Sequence, residues 1–273
     1  EVWAKLEYCS PGGSAKDRIA FAMIEAAEDR GEISPGKTTI VEATSGNTGV
    51  GVAMACAAKG YRCVLTMPRM PTMMERYMLC RMHGAGICLS DAKHGVAGTV
   101  RLAEEIASST PNSYLLRQYE NDANWRAHYE TTGPEIWEQP AGRVTHLVVG
   151  CGTAGTLLGC TRFLKRKNPF VKSVCVEAAE ARVVAGLDTA KPVNHGLLGI
   201  SPGFHPPLLP RDDPSLARII DQFAAVPSSV GAAFAQKLAA TEGLLDDPTS
   251  GAAATAALEI AAPLTPDDVV IVV

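Results

Sequence analysis

Thr39-Ile40-Val41-Glu42-Ala43-Thr44-Ser45-Gly46-Asn47-Thr48-Gly49 decides the fold. Residues 39–42 form a short β-branched strand, the next residues a hydroxyl- and amide-rich loop, and 50–59 a small-residue helix stopped by Gly60. A strand running straight into a polar loop and then a helix is one β/α unit of a parallel sheet. Its loop lies beyond the strand's carboxyl end, where such sheets bind ligands, and it offers many donors to a small anion. The alternation continues in both directions. A helix after Lys16 carries Ile19, Ala20, Met23, Ile24 and Ala27 on one face and ends at Gly31; 62–67 is a strand; Thr72 and Glu75, at capping-box spacing, open a helix that stops at Gly84. Further strands fall at 87–89, 114–116, 146–149 and 174–176. Pro202, Pro206, Pro207 and Pro210 make 201–214 loop-rich, and helices near 229–241 and 251–261 precede a last strand at 269–273. The expected class is α/β with mostly parallel sheets.

Upstream, Gly12-Gly13-Ser14-Ala15-Lys16-Asp17-Arg18 is a glycine turn opening a helix, with Ser14 and Asp17 at the spacing of a capping box. Lys16 falls in the first turn, where the positive end of the macrodipole and Arg18 both disfavour its ammonium form. A lysine that gives up its proton easily suits Schiff-base chemistry. Alone, such a lysine is an ordinary solvated helix start, and the Thr44 loop alone is ordinary N-capping. Together, in this order, they point to a site.

The 273 residues suffice for one large domain or two ordinary ones, and 47% apolar with 20% charged is an ordinary globular balance. A formal net charge of −4 leaves no electrostatic footprint for nucleic acid. No apolar run approaches the ~20 residues of a membrane helix. The opening Glu1-Val2-Trp3-Ala4-Lys5-Leu6 has no signal- or transit-peptide character, which gives a cytoplasmic expectation. Val2, Ala4, Leu6 and Tyr8 alternate like a strand already under way, so both ends read as truncated; a start lost ahead of Glu1 would take any targeting peptide with it. Cysteines at 9, 56, 63, 80, 88, 151, 160 and 175 form no Cys-x-x-Cys and lie mostly in apolar segments, as buried reduced thiols do. The six histidines show no ligand spacing, so no metal is expected.

Gly150-Cys151-Gly152-Thr153-Ala154-Gly155 follows a strand and opens a helix as G-x-G-x-x-G, and Glu177 ends the next strand, completing a dinucleotide fingerprint. Three features oppose a hydride-transfer enzyme. The fingerprint comes after several β/α units instead of first. Thr153 and Thr156 add hydroxyls suited to a terminal phosphate monoester. Lys16 and the Asn47 loop would have no purpose there.

Those two segments continue into Gln118-Tyr119-Glu120-Asn121, Ala127-His128-Tyr129-Glu130-Thr131-Thr132-Gly133-Pro134-Glu135-Ile136-Trp137, Gly152-Thr153-Ala154-Gly155-Thr156, Gly203-Phe204, Glu242-Gly243-Leu244-Leu245 and Ser250-Gly251-Ala252. In this order, over nearly the whole chain, they resemble the cysteine synthase family of pyridoxal-phosphate enzymes (O-acetylserine sulfhydrylase, with cystathionine β-synthase a close cousin). The resemblance implies fold type II, tryptophan synthase β-like: two three-layer α/β domains with the cofactor in the cleft, a smaller mobile one over 10–121 and a larger one over 1–9 and 122–273. It implies Lys16 as the covalent anchor of pyridoxal 5'-phosphate and carrier of the substrate proton. Asn47 would bond the ring oxygen, Gly152, Thr153, Ala154, Gly155 and Thr156 the phosphate, and Thr249 the pyridine nitrogen. Thr44, Ser45, Asn47, Thr48, Gln118 and Gly199 would surround the substrate. The implied reaction is β-replacement, L-cysteine from O-acetyl-L-serine and sulfide, in a homodimer with serine acetyltransferase as protein partner. Within the family the alternatives are a cystathionine β-synthase or an O-phosphoserine sulfhydrylase. Outside catalysis, the alternative is a member that only binds a partner through its cleft.

The chain departs from the family pattern in places. Ala154 replaces a glycine of the phosphate loop; with Gly152, Gly155 and both threonines kept, the loop is expected to hold negative φ there. Gly199-Ile200-Ser201-Pro202-Gly203-Phe204 replaces Gly-Ile-Gly-Ala-Gly-Phe, Leu198 stands where glutamine is common, and Asp246-Asp247-Pro248 replaces an apolar stretch. Arg69 and Arg76 are expected to be solvated or ion-paired. Met67, Met70, Met73, Met74, Met78 and Met82 are read as core packing ahead of a partner surface, and Trp125, His128 and Trp137 as helix packing residues.

Overall fold

The computed structural model describes residues 1–188, 195–209 and 216–273; Pro210 and the end of the 201–214 stretch lie outside them. In chain order the elements are β1 (Val2–Ala4), α1 (Lys16–Asp29), β2 (Thr39–Ala43), α2 (Asn47–Lys59), β3 (Arg62–Pro68), α3 (Met74–Met82), β4 (Gly86–Ser90), α4 (Gly95–Ser109), β5 (Ser113–Leu115), α5 (Asp122–Ala127) and α6 (Gly133–Glu138). Then come β6 (Val144–Gly150), α7 (Gly155–Lys167), β7 (Lys172–Ala178), α8 (Leu216–Ile219), β8 (Gln222–Val226), α9 (Ser228–Glu242), α10 (Pro248–Ala261) and β9 (Val269–Val272).

The chain divides into two compact units, Glu7–Asn124 and Glu1–Leu6 with Trp125–Val273. The first holds a parallel four-stranded sheet ordered β4-β3-β2-β5, with Ile40 of β2 opposite Cys63 of β3 and Tyr114 of β5. Every residue of β2 is buried, Thr39 and Glu42 included, so burial does not alternate along it, as in parallel strands covered on both faces. Val41 and Ala43 pack with Ala103 and Val100 of α4. On α2, small residues serve the packing of α1: a methyl at Gly51 would lie 3.0 Å from the Lys16 carbonyl oxygen. The glycine thus lets α2 touch the backbone that carries Lys16.

The second unit holds a parallel five-stranded sheet ordered β1-β9-β6-β7-β8. Alternation sorts its side chains between two cores. Leu147, Val149, Cys175 and Ile271 join Leu157 and Leu158 of α7, whereas Val148, Val174, Val176 and Val270 join Ala252, Ala253, Ala256 and Ala257 of α10. Helices on both faces complete three layers.

Three local readings are corrected, while the reading of the cysteines as mostly buried free thiols agrees with the structure. β8, with only Val226 buried, was not anticipated. The Thr72–Glu75 box does not form: Pro71–Met73 makes a 3-10 turn and α3 starts at Met74 without a side-chain cap. Met67 and Met73 are core, but Met74, Met78 and Met82 are exposed. The cysteines are all free and six are buried, with Cys9 exposed and Cys88 half-buried.

Candidate active site

In the 7–124 unit, Asp17 holds the glycine turn. Its carboxylate accepts from Gly12 N at 2.6 Å, and a methyl at Gly12 would lie 2.4 Å from its Oδ1. Burial raises the Asp17 pKa. The capping box is therefore replaced: Ser14 Oγ accepts from Lys16 N at 3.2 Å, and Ala15 is the N-cap. Arg18 is bound by both carboxylate oxygens of the buried Glu7, at 2.8 and 2.9 Å. That pairing cancels its expected pressure on Lys16, and the helix dipole remains. Lys16 is half-buried in the first turn of α1.

Beyond β2, Thr44 organises its loop: Oγ1 accepts from Gly46 N and Gly49 N, each at 3.0 Å. Gly46 has φ 156, where a methyl would strike Arg76 Cδ at 2.7 Å; the Arg76 side chain lies along this loop and pairs with Glu75 at 4.0 Å, in line with the ion-paired expectation. Thr48 Oγ1 donates to Gln118 Oε1 at 2.8 Å, and Gln118 Nε2 donates to the Ala43 carbonyl at 2.6 Å. Thr44, Thr48 and Gln118 are buried, Ser45 is half-buried and Asn47 is exposed. Thr48 and Gln118 bind each other and Thr44 binds the loop backbone, while Ser45 and Asn47 are the accessible members. Beneath them Glu42 is 1% exposed with Oε2 unpartnered. Burial pushes its pKa up to about 8, against hydrogen bonds from the Gln118 amide and side chain.

In the other unit, β6 runs through Cys151-Gly152-Thr153-Ala154 into α7. A methyl at Gly152 would lie 2.6 Å from the Gly199 carbonyl oxygen, and Thr249 Oγ1 accepts from Gly199 N at 3.3 Å. Gly199 and Thr249 therefore brace the loop as a pair. The start of α7 has no acidic residue in its first turn and no side-chain bond from its N-cap Ala154. Thr153 Oγ1 accepts from Gly155 N at 3.3 Å. Glycine backbone, two hydroxyls and an uncapped helix N-terminus fit a phosphate monoester. A dinucleotide is not fitted, because the Glu177 carboxylate that would take a ribose accepts from Val184 N and Ala185 N at 2.8 and 2.9 Å. His128, read as packing, instead bonds the hydroxyls of Thr132 and Thr156.

Ala154 overturns its expectation: φ is 71, the left-handed region. Ser201, where the family carries glycine, also has positive φ, 50. Its Oγ compensates by accepting from Ala178 N at 2.8 Å. Asp247 caps α10 by accepting from Ser250 N at 2.9 Å, with Pro248 in the first turn, which accounts for the acidic insertion. At Ala154, left-handed strain of ~1–2 kcal/mol opposes ~0.8 kcal/mol of methyl burial and the lower unfolded-state entropy of alanine. Ala154→Gly is thus expected to stay within ~1 kcal/mol of the parent in thermal unfolding. Ala154→Val, β-branched, should lose more than ~1 kcal/mol. Equal stability of all three would refute the strain argument.

Parallel sheets with polar loops beyond their carboxyl ends, a first-turn lysine and a glycine-and-hydroxyl loop that fits a phosphate suit an α/β enzyme built around a phosphorylated cofactor. Residues 1–273 match the family model described as "Pyridoxal-phosphate dependent enzyme". The chain belongs to that family, in its fold type II, cysteine synthase and cystathionine β-synthase-like branch, with pyridoxal phosphate as cofactor and β-replacement as chemistry. It is 40% identical over 274 residues to a probable cysteine synthase of Bacillus subtilis (strain 168), covering 99% of this chain and 85% of that one. The structure of an O-acetylserine dependent cystathionine beta-synthase from Helicobacter pylori matches with TM-score 0.90 at 34% identity, covering 99% and 85%. An O-ureido-L-serine synthase structure matches with TM-score 0.89 at 35% identity, covering 99% and 82%.

Proposed function

We propose that this enzyme forms L-cysteine from O-acetyl-L-serine and sulfide. The observation that carries the reading is a pair of helix N-termini, α2 and α7, each without an acidic residue in its first turn and without a side-chain bond from its N-cap. One suits a substrate carboxylate and the other a cofactor phosphate. Among the relatives, a probable cysteine synthase supports the product and an O-acetylserine dependent cystathionine beta-synthase the acetylated donor.

Lys16 and the Gly152–Thr156 loop would hold pyridoxal phosphate, which would supply an electron sink for the substrate's α-carbon. Lys16 Nζ takes the α-proton and later returns it. Ser45, Asn47 and the first-turn amides of α2 orient the α-carboxylate, while Thr44, Thr48 and Gln118 hold that loop in shape. Acetate leaves the β-carbon and sulfide takes its place. The pyridoxal-loaded protein should change its absorbance with O-acetylserine and yield cysteine when sulfide follows. Preference for O-phosphoserine, or for serine with a thiol amino acid, would select the alternative donors; no change with any donor would reject catalysis.

Gln118→Ala is expected to leave Thr48 and the Ala43 carbonyl without their partner, at ~1–3 kcal/mol. The loss should appear as a raised KM for O-acetylserine with cofactor affinity unchanged. A lowered cofactor affinity with unchanged KM would contradict the assignment of this network to the substrate loop.

A further inference from the structure

Glu42 stands on β2 just ahead of the Thr44 loop, 1% exposed, with an Oε2 that has no partner. An orphaned buried oxygen calls for an explanation. The strongest polar influences on its carboxyl are N–H donors, from the Gln118 backbone and side chain and from the backbones of Ala43 and Arg117. Two of these donors belong to a strained turn. Arg117 has φ 57, the left-handed region that a side chain disfavours. In that conformation successive N–H groups turn to one side and make a small nest for an oxygen. The Gln118 side chain is tied to the same point. Its Nε2 donates one hydrogen to the Ala43 carbonyl at 2.6 Å and has a second for Glu42, which leaves Oε1 to face the Thr48 hydroxyl at 2.8 Å.

These donors would suit an ionised carboxylate, yet burial outweighs them and raises the acid to about 8, so at neutral pH it keeps its proton. Cys63 of β3 is near enough to feel its charge, with Cys56 of α2 and Cys80 of α3 beside that thiol; the Cys56 hydrogen bond and burial hold Cys63 far above its ordinary value. The charges on the elements packed against β2 turn elsewhere. Lys59 of α2 goes to Glu28 and Glu25, Tyr114 of β5 to Glu32, and Glu104 of α4 to the Arg117 guanidinium, while Arg62, Arg101 and Glu105 are exposed. We propose that Glu42 is a positioning residue for donor binding that works in its neutral form: it fixes the Arg117–Gln118 turn and the Gln118 amide while placing no charge beneath a loop that receives a carboxylate. Ionised, it repels that carboxylate. By linkage, a bound carboxylate holds the proton on Glu42 more tightly. This rests on the reading of Ser45, Asn47 and the start of α2 as the seat of the donor's α-carboxylate.

The carboxyl ¹³C shift of Glu42 in glutamate-labelled, pyridoxal-loaded protein, assigned through its backbone amide, reads the proton directly. Its midpoint should lie near 8 and should rise when L-alanine, which carries the α-carboxylate and no leaving group, saturates the protein. A midpoint in the ordinary carboxylate range, or one that L-alanine leaves in place, would overturn the proposal. The KM for O-acetylserine gives a second readout. Glu42→Gln keeps an oxygen for the turn and never ionises, so as pH passes through 8 the parent's KM should rise about threefold or more relative to the variant's. The donor's own amine titrates alike with both proteins, so the difference between the profiles belongs to Glu42. Glu42→Leu fills the space and offers no acceptor; it should raise KM at every pH by about fivefold or more, with kcat less affected. Arg117→Gly, which takes the left-handed turn without strain, should recover part of that loss. Parallel profiles for parent and glutamine variant, or a leucine variant with the parent's KM, would overturn the proposal while a raised KM in Gln118→Ala keeps the loop reading standing. Unchanged KM in Gln118→Ala would instead sink the loop reading and this proposal with it. Should neither Glu42 variant fold, the L-alanine shift in the parent decides alone.

Discussion

Lys16→Ala should lose at least about a thousandfold in kcat, because one amine supplies both the covalent anchor and the proton transfer. Borohydride reduction of the cofactor-loaded parent should fix the label on the peptide containing Lys16, and the alanine variant should take none. The structure supports this choice over the neighbouring lysines. Lys59 is ion-paired with Glu28 at 2.8 Å and Glu25 at 3.3 Å, and Lys37 is exposed. Lys16 alone sits in the first turn of a helix whose start is clamped by Asp17. Label on Lys37 or Lys59, or an alanine variant that still turns over, would place the anchor elsewhere.

Glu42→Gln should remove much of the pH dependence of stability in the 7–124 unit. The Glu42 carboxyl has a folded pKa pushed up to about 8 from an ordinary 4.5, with burial as the main cause. Between those values the folded state keeps a proton that the unfolded chain releases, so stability is greatest below the ordinary value and falls as pH rises through about 8. The slope approaches ~1.4 kcal/mol per pH unit for one group. Denaturant unfolding of the cofactor-free protein across this range should show that decline, and the glutamine variant a flatter profile. Burial also raises Asp17 and Glu177, so some slope survives. Identical profiles would show that Glu42 titrates normally.

Most of the parallel framework was legible because its strands are largely buried and each carries a short, β-branched apolar run. β2, β3, β6, β7 and β9 announce themselves in this way. β8 does not, because an edge strand with one buried residue has no pattern to read. Lys16 and the two loops were legible as motifs, since glycine turns and hydroxyl clusters are local in sequence. The errors lie where backbone geometry is set at a distance. Ala154 was expected at negative φ on the ordinary preference of an L-residue, but the turn into α7 imposes its own dihedral. His128 looked like packing because its partners depend on a π turn over His128–Thr132 and on the approach to α7 permitted by Gly159. Glu42 looked like the polar end of a strand, and only its complete burial beneath Gln118 makes it an unusual acid.

Among the described residues, the order β1-β9-β6-β7-β8 gives Val2–Ala4 one strand neighbour, and that neighbour is Val269–Val272. During synthesis, β1 waits for β9, which follows every other described strand. The Glu7–Asn124 segment is continuous and holds its whole sheet, so nothing in its strand pairing requires that delay. Val2 and Trp3, still 39% exposed once paired, spend the interval as an open strand edge. On a ribosome, that edge lacks its strand partner until β9 emerges.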